Sequence, residues 1–273
     1  MTSREDDALA QAAVAALTGQ LALAPKPGLP DPRDLDARSK RREHDSLRWS
    51  ARALAPGLAA MAASARRTGE ATPVLRAELG AIGRCTEHSV GLAGGGHKGA
   101  LWALGFLVAA AALDPRAKAR EMAMNARKIA AFNDKGAPKR PSRGSSISAK
   151  YGAAGARGEA RAGFPHVRRA LDALATARKA GATENQARLD ALLTVMSTLQ
   201  DTELLYTAGP FGLRQVQSGA RAVLDAGGTA TEPGAQALRA LDADLHEKGW
   251  SPRGSAGLLA GALFLDGLSA APL

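Results

Sequence analysis

Six consecutive residues, Gly94-Gly95-Gly96-His97-Lys98-Gly99, stand directly ahead of an apolar run from Ala100 to Leu113. Glycines let a backbone approach a ligand closely, and a helix that starts there offers unpaired N–H groups and the positive end of its dipole. His97 and Lys98 add positive charge at that end, which favours an anion and works against the helix itself. The predicted chemistry is phosphate binding at the start of a buried helix; a plain glycine bend ahead of a core helix is the competing reading. Two named phosphate motifs fail. His97 occupies the place where a P-loop needs its Gly-Lys-Ser/Thr, and residues 82–90 lack the β-branched character of the strand that either a P-loop or a dinucleotide-binding turn requires.

The elements that must hold this bend are helices. Apolar residues recur at helical spacing over 6–23, 46–64 and 72–92, and the run 100–113 is too short to cross a bilayer. Pro25-Lys26-Pro27-Gly28 stops the first helix, and Pro56 begins or kinks a second piece of the next one. Residues 31–45 carry no period and are expected to be a surface loop, with His44 and His88 on the surface. A basic amphipathic helix runs to about Phe132, and 133–149 is expected to be a mobile basic loop. Further helices are expected over 164–179, 185–205, 212–226, 233–247 and 255–268. Asp201 falls near the C-terminal end of the 185–205 pattern, where the dipole disfavours a carboxylate, so it should have a metal, an arginine or solvent as partner. The whole reads as an all-α chain, a single helical domain over 1–273 of about ten helices with glycine-rich connections.

Bulk composition agrees. The 273 residues are 45% hydrophobic but only 4% aromatic, as suits closely packed helices. Cys85 alone rules out an intramolecular disulfide framework and any multi-cysteine metal site. The acidic start at Glu5, Asp6 and Asp7 is wrong for a secretory signal, and a cytoplasmic location is expected. A formal charge of +10 asks for an anionic partner. The basic residues are spread out with no aromatic interleaving, so a polyphosphate-bearing small molecule is preferred to nucleic acid, and no membrane partner is expected.

Five ordered blocks make the chain resemble the triphosphoribosyl-dephospho-CoA synthase family. They are Pro25-Lys26-Pro27-Gly28-Leu29, His97-Lys98-Gly99-Ala100, Tyr151 through Pro165, Leu192 through Leu205 with Asp201-Thr202, and Ser251-Pro252-x-Gly254-Ser255-Ala256. The resemblance implies an all-helical transferase that takes ATP and dephospho-CoA. It expels adenine and joins C1 of the triphosphoribosyl group to the ribose 2′-hydroxyl. Such a glycosyl transfer needs cations for the triphosphate, a base for the hydroxyl and a donor for the leaving purine. Lys26, Lys98 and Arg157 are the candidate phosphate cations, with Gly94, Gly95 and Gly96 as backbone donors. Tyr151, Ser251 and Ser255 join them as binding residues. Glu87, Glu159 and Asp201 are candidates for the base, with Glu87 and Asp201 also candidate Mg²⁺ ligands. His97 is the candidate donor to purine or phosphate, and Arg157 with Glu159 forms a structural ion pair in the competing reading. A homodimer is left open.

Some motif positions depart from the family pattern. The glycine bend is shorter than the usual Thr-Gly-Gly-Val-Asn-Thr-His-Lys-Gly. The Arg-Gly-Gly usual after Asp-Thr is replaced around Thr207, and Arg253 and Gly257 stand where glycine and aspartate are usual. Fewer carboxylates and more positive charge would weaken Mg²⁺ binding. The alternative is therefore a member that binds a nucleotide or CoA-type ligand, or partners an active enzyme, without turnover.

Overall fold

The computed structural model describes residues 2–33, 38–92 and 96–270. Among these there are fourteen helices and no strand: α1 (Arg4–Leu21), α2 (Arg38–Ala53), α3 (Ala55–Thr68), α4 (Pro73–Leu92), α5 (Lys98–Leu113), α6 (Ala119–Ala130), α7 (Arg143–Tyr151), α8 (Gly155–Arg161), α9 (Pro165–Lys179), α10 (Glu184–Met196), α11 (Thr202–Thr207), α12 (Gly209–Asp225), α13 (Glu232–Lys248) and α14 (Arg253–Ala270). The all-α expectation holds; the count of ten is too low.

The extra helices lie where periodicity was weakest. Residues 38–45, expected to be loop, form the first half of α2, whose inward face includes polar His44 and Ser50, both buried. His44 is thus not a surface residue, whereas His88 is exposed as expected. The basic segment 133–149 is also helical from Arg143 onward: Ser142 caps α7 by accepting the Ser145 N–H at 3.2 Å, and Gly152 ends it in the left-handed region. The expected 185–205 helix is two helices, α10 and α11. Pro56 sits in the first turn of α3, a position where its missing N–H costs nothing.

The core follows from α5. Twelve of its sixteen residues are buried, so it has no polar face and must be surrounded. It packs against α3, α4, α6 and α14. Gly105 is required at the α3 crossing, because a Cβ there would meet the Met61 sulfur at 2.5 Å. Helix α14, also largely buried, runs against α1, α5, α9 and α10. The buried apolar side chains make one continuous cluster. No helix of the described residues is long and apolar enough to cross a membrane.

Candidate active site

The N-termini of α5, α11 and α14 are tied together at one end of this core. The first link is the contact at Gly257: a Cβ there would lie 3.4 Å from the Ala100 Cα, so the first turns of α14 and α5 lie side by side. The second link is Asp201, which is the N-cap of α11, not the end of the preceding helix. The expected dipole penalty is therefore reversed: a carboxylate at a helix N-terminus is favoured. One oxygen accepts the Glu203 N–H at 3.0 Å; the other accepts the Ser255 N–H at 3.0 Å and the Ser255 hydroxyl at 3.4 Å. The Leu204 and Gly254 N–H groups bond to it as well. Burial to 2% exposure pushes its pKa above the usual carboxylate value, against the pull of these backbone donors. A neighbouring arginine or metal is not needed to explain an acid held in this way.

His97 precedes α5. Its Nε2 lies 2.9 Å from the Leu47 carbonyl oxygen. A carbonyl only accepts, so Nε2 carries a hydrogen, and whenever the ring is neutral Nδ1 is its bare nitrogen. Burial lowers its pKa below the ordinary 6.5, the positive charges of Lys26 and Arg253 lower it further, and the Leu47 bond opposes them. The lowered pKa favours the neutral ring, whose bare Nδ1 can accept a proton. No side chain caps α5, as an anion-binding N-terminus requires.

Lys98, exposed at the first position of α5, lies 3.1 Å from one oxygen of Glu87 on α4. The other Glu87 oxygen accepts the indole N–H of Trp102 at 3.2 Å. Gly83 creates room for that indole, since a Cβ there would fall 2.7 Å from the Trp102 ring. Gly96 is exposed and its carbonyl accepts the Lys98 N–H at 2.6 Å; Gly94 and Gly95 lie outside the described residues.

Lys26 is sealed from solvent at 1% exposure. Its Nζ donates to Gln20 Oε1 at 3.4 Å, and its backbone N–H donates to Asp31 at 2.9 Å. Burial lowers its pKa to about 8, opposed by the Asp31 charge. Arg33 already holds Asp31 at 2.6 Å and bridges to Asp242 at 2.7 Å. The following turn presses against the entry to α14: Gly28 has φ +65°, and a Cβ on it would fall 2.1 Å from the Trp250 carbonyl oxygen. Next in the chain is Ser251, whose hydroxyl is buried without a hydrogen-bond partner. Arg253 opens α14 and lies 3.3 Å from Glu43 on α2.

The remaining candidates have other partners. Glu159 does not pair with Arg157; its two oxygens accept the N–H and the Nδ1–H of His166, each at 2.8 Å, at the start of α9. Arg157 donates instead to Asn133 at 2.9 Å. Tyr151 is half-buried against the core with the Lys150 ammonium 5.1 Å over its ring. The structure thus gathers Lys26, Glu87, His97 and Lys98 with Arg253, and uses Asp201 and Ser255 to fix the helix ends behind them. Arg253, which the sequence marks only as a departure from the motif, stands close enough to His97 to lower its pKa.

The proposed Mg²⁺ ligands do not fit a protein-borne metal. Glu87 is engaged by Lys98 and Trp102, Asp201 by backbone N–H groups, and the described residues contain no group of three or more His, Cys, Asp or Glu side chains able to hold an ion.

The comparisons with known proteins are consistent with this arrangement. The family model for ATP:dephospho-CoA triphosphoribosyl transferase matches residues 6–272. A protein of Stutzerimonas stutzeri named "Probable 2-(5''-triphosphoribosyl)-3'-dephosphocoenzyme-A synthase" is 45% identical over 268 residues, covering 96% of this chain and 92% of its own. Proteins of the same name from Pseudomonas putida and Azotobacter vinelandii are 45% and 46% identical, covering 95% of this chain in each case and 94% and 90% of their own. No solved structure matches. The chain belongs to the ATP:dephospho-CoA triphosphoribosyl transferase family.

Proposed function

We propose that this protein transfers the triphosphoribosyl group of ATP to the 2′-hydroxyl of dephospho-CoA, in the cytoplasm. In that reaction the bond from the ribose C1 to adenine breaks and a bond from C1 to the acceptor oxygen forms. The hydroxyl loses a proton and adenine gains one. Positive charge builds on the sugar as the base departs, so the site must supply a proton acceptor, a nearby negative charge and cations for the triphosphate.

The observation that carries the reading is the neutral His97, its Nδ1 bare, at the uncapped start of α5 beside Lys98 and within the fields of Lys26 and Arg253. In this scheme His97 Nδ1 takes the hydroxyl proton. Lys98 and Arg253, both exposed, contact phosphate oxygens, and buried Lys26 adds its field from behind. Glu87, aligned by Trp102, faces the developing charge on the sugar. Asp201 is a positioning residue that holds the first turns of α11 and α14 in place.

The test is adenine release from ATP, followed by chromatography, with and without dephospho-CoA. Release that requires the acceptor supports the reading. A folded preparation that binds both nucleotides and frees no adenine under any divalent ion overturns it.

A further inference from the structure

A second cationic site lies outside the cluster just described. Arg76 and Arg84 stand two turns apart on one face of α4, and Arg157 and Arg161 one turn apart on α8. Between them, directly after α6, are Asn133 and Asp134. Asp134 is almost wholly buried, and its Oδ2 lies 2.5 Å from Arg84 and 3.4 Å from Arg76. Its other oxygen accepts the Gly136 N–H at 3.0 Å. The one carboxylate is thus used by the inner pair. The outer pair has neutral partners among the described residues: Arg157 and Arg161 both donate to the single Oδ1 of Asn133, at 2.9 and 2.8 Å, and Arg161 Nε donates to the Ala130 carbonyl at 3.1 Å.

Two exposed guanidinium groups one turn apart repel each other weakly, and an anion held between them would turn that repulsion into attraction. Arg76 lies deepest, its guanidinium 5.2 Å over the Phe106 ring and paired with Asp134. Its side chain is 11% exposed, yet its Nε and Nη1 make no hydrogen bond. Burial lowers its pKa, Asp134 opposes, and the charges of Arg157, Arg84 and Arg161 lower it further, so Arg76 feels all three of the other cations. The cluster is graded, with Arg76 deep, Arg84 partly covered and Arg157 and Arg161 exposed at the mouth. Planar forks arranged in this way suit an anion with many acceptor oxygens and no obligatory metal.

We propose that Arg76, Arg84, Arg157 and Arg161 form a second anion subsite that takes a phosphoanhydride chain, distinct from the cluster at the start of α5. The transferase reading requires two such chains in one complex, the triphosphate of ATP and the diphosphate of dephospho-CoA, and like-charged chains need separate cation sets. The proposal rests on that reading for the source of the chain, but its chemical class stands on the arginines alone.

The test uses R157Q/R161Q, because both side chains are exposed and their removal leaves the Arg84–Asp134 pair intact. Calorimetry with inorganic tripolyphosphate should find two sites on the wild-type protein and one on the variant, with unchanged thermal unfolding. In the adenine-release assay, the KM for one nucleotide should rise about tenfold or more while that for the other stays within about twofold. A rise for ATP identifies its triphosphate as the source, and a rise for dephospho-CoA identifies its diphosphate. Equal tripolyphosphate stoichiometry and affinity in the two proteins overturns the subsite, as does an equal KM change for both nucleotides. If the wild-type protein releases no adenine but loses a tripolyphosphate site in the variant, the transfer reading fails and the subsite stands.

Discussion

The carboxylate of Asp201 and the backbone N–H of Ser255 meet at 3.0 Å, so one buried acid joins the N-termini of two helices that are 54 residues apart in sequence. Both of its oxygens are filled by donors of the protein's own backbone, and this makes the residue a clasp. Removing it leaves several buried N–H groups without an acceptor.

Asp201→Ala should therefore lower stability by roughly 2–4 kcal/mol, combining a lost cap with orphaned donors. For a chain of this size that corresponds to a fall in Tm of about 5–15 °C. Asp201→Asn keeps one acceptor oxygen and should fall between the two. Thermal unfolding followed by circular dichroism measures both, and a wild-type melting curve for the alanine variant would contradict the clasp.

Lys26 makes the protein's stability depend on alkaline pH in a calculable direction. Its pKa is about 8 in the folded chain and 10.5 unfolded. Between these values the unfolded chain binds more protons, so stability rises with pH over that window, and the cost of the buried charge is present in full below pH 8. The shift sets an upper limit of about 3 kcal/mol, which Lys26→Met should recover at pH 7. A phosphate bound within reach of this charge restores the proton. Tripolyphosphate binding at pH 8.5 should thus take up protons, seen as a dependence of the binding heat on the ionisation enthalpy of the buffer. The uptake should vanish in the methionine variant.

The apolar helices were legible in the sequence because their signals are local, apolar periodicity and prolines at the ends, whereas the polar first half of α2 and the basic α7 carry no such period. The role of Asp201 was not legible either. Its pattern continued unbroken from α10, and only the tertiary contact with Ser255 shows that the chain restarts as a new helix there. Glu159 was misread for a related reason, since its partner His166 lies seven residues on, around a turn, whereas Arg157 was its apparent neighbour. The arginine cluster left a faint trace in the spacing of Arg76, Gly80 and Arg84 on one helix face. Gly80 is needed because a Cβ would fall 2.2 Å from the Asp134 carboxylate, but nothing short of the fold brings Asp134 and Arg157 to that face.

Glu87 is aligned by two different donors, so its charge and its shape can be separated. Glu87→Gln keeps an acceptor for the Trp102 N–H and removes the negative charge. Adenine release should fall by about 10²–10⁴-fold if that charge faces the sugar in the transition state. The partly exposed Lys98 pair contributes little to stability, at most about 1 kcal/mol, so unfolding should change only slightly. A variant that melts normally and turns over at the wild-type rate removes Glu87 from the reaction.

The Gly28 turn carries Lys26 and packs on the carbonyl of Trp250, and it tolerates no side chain. Gly28→Ala places a Cβ 2.1 Å from that oxygen at a φ of +65°. The strain at such a backbone conformation costs on the order of 1–2 kcal/mol before the clash is counted. Loss of stability should be accompanied by weaker tripolyphosphate binding, because the turn and the start of α14 move apart together. Unchanged affinity in this variant would separate Lys26 from the phosphate site.

His97 gives the reaction an acid limb. The ring must be neutral to accept the hydroxyl proton at Nδ1, and burial with the nearby Lys26 and Arg253 charges holds its pKa below 6.5. Activity should therefore be flat above pH 6.5 with respect to this group and fall as pH drops through its lowered pKa. Folding stability moves in the same direction: the depressed folded pKa means that the unfolded chain gains protons first on acidification, so stability is lost below pH 6.5. His97→Gln preserves a donor to the Leu47 carbonyl and removes the acceptor, and should lower kcat by about 10²–10⁴-fold while abolishing the acid limb that His97 supplies. Retention of that limb in the variant assigns the titration to another group and takes the base role from His97.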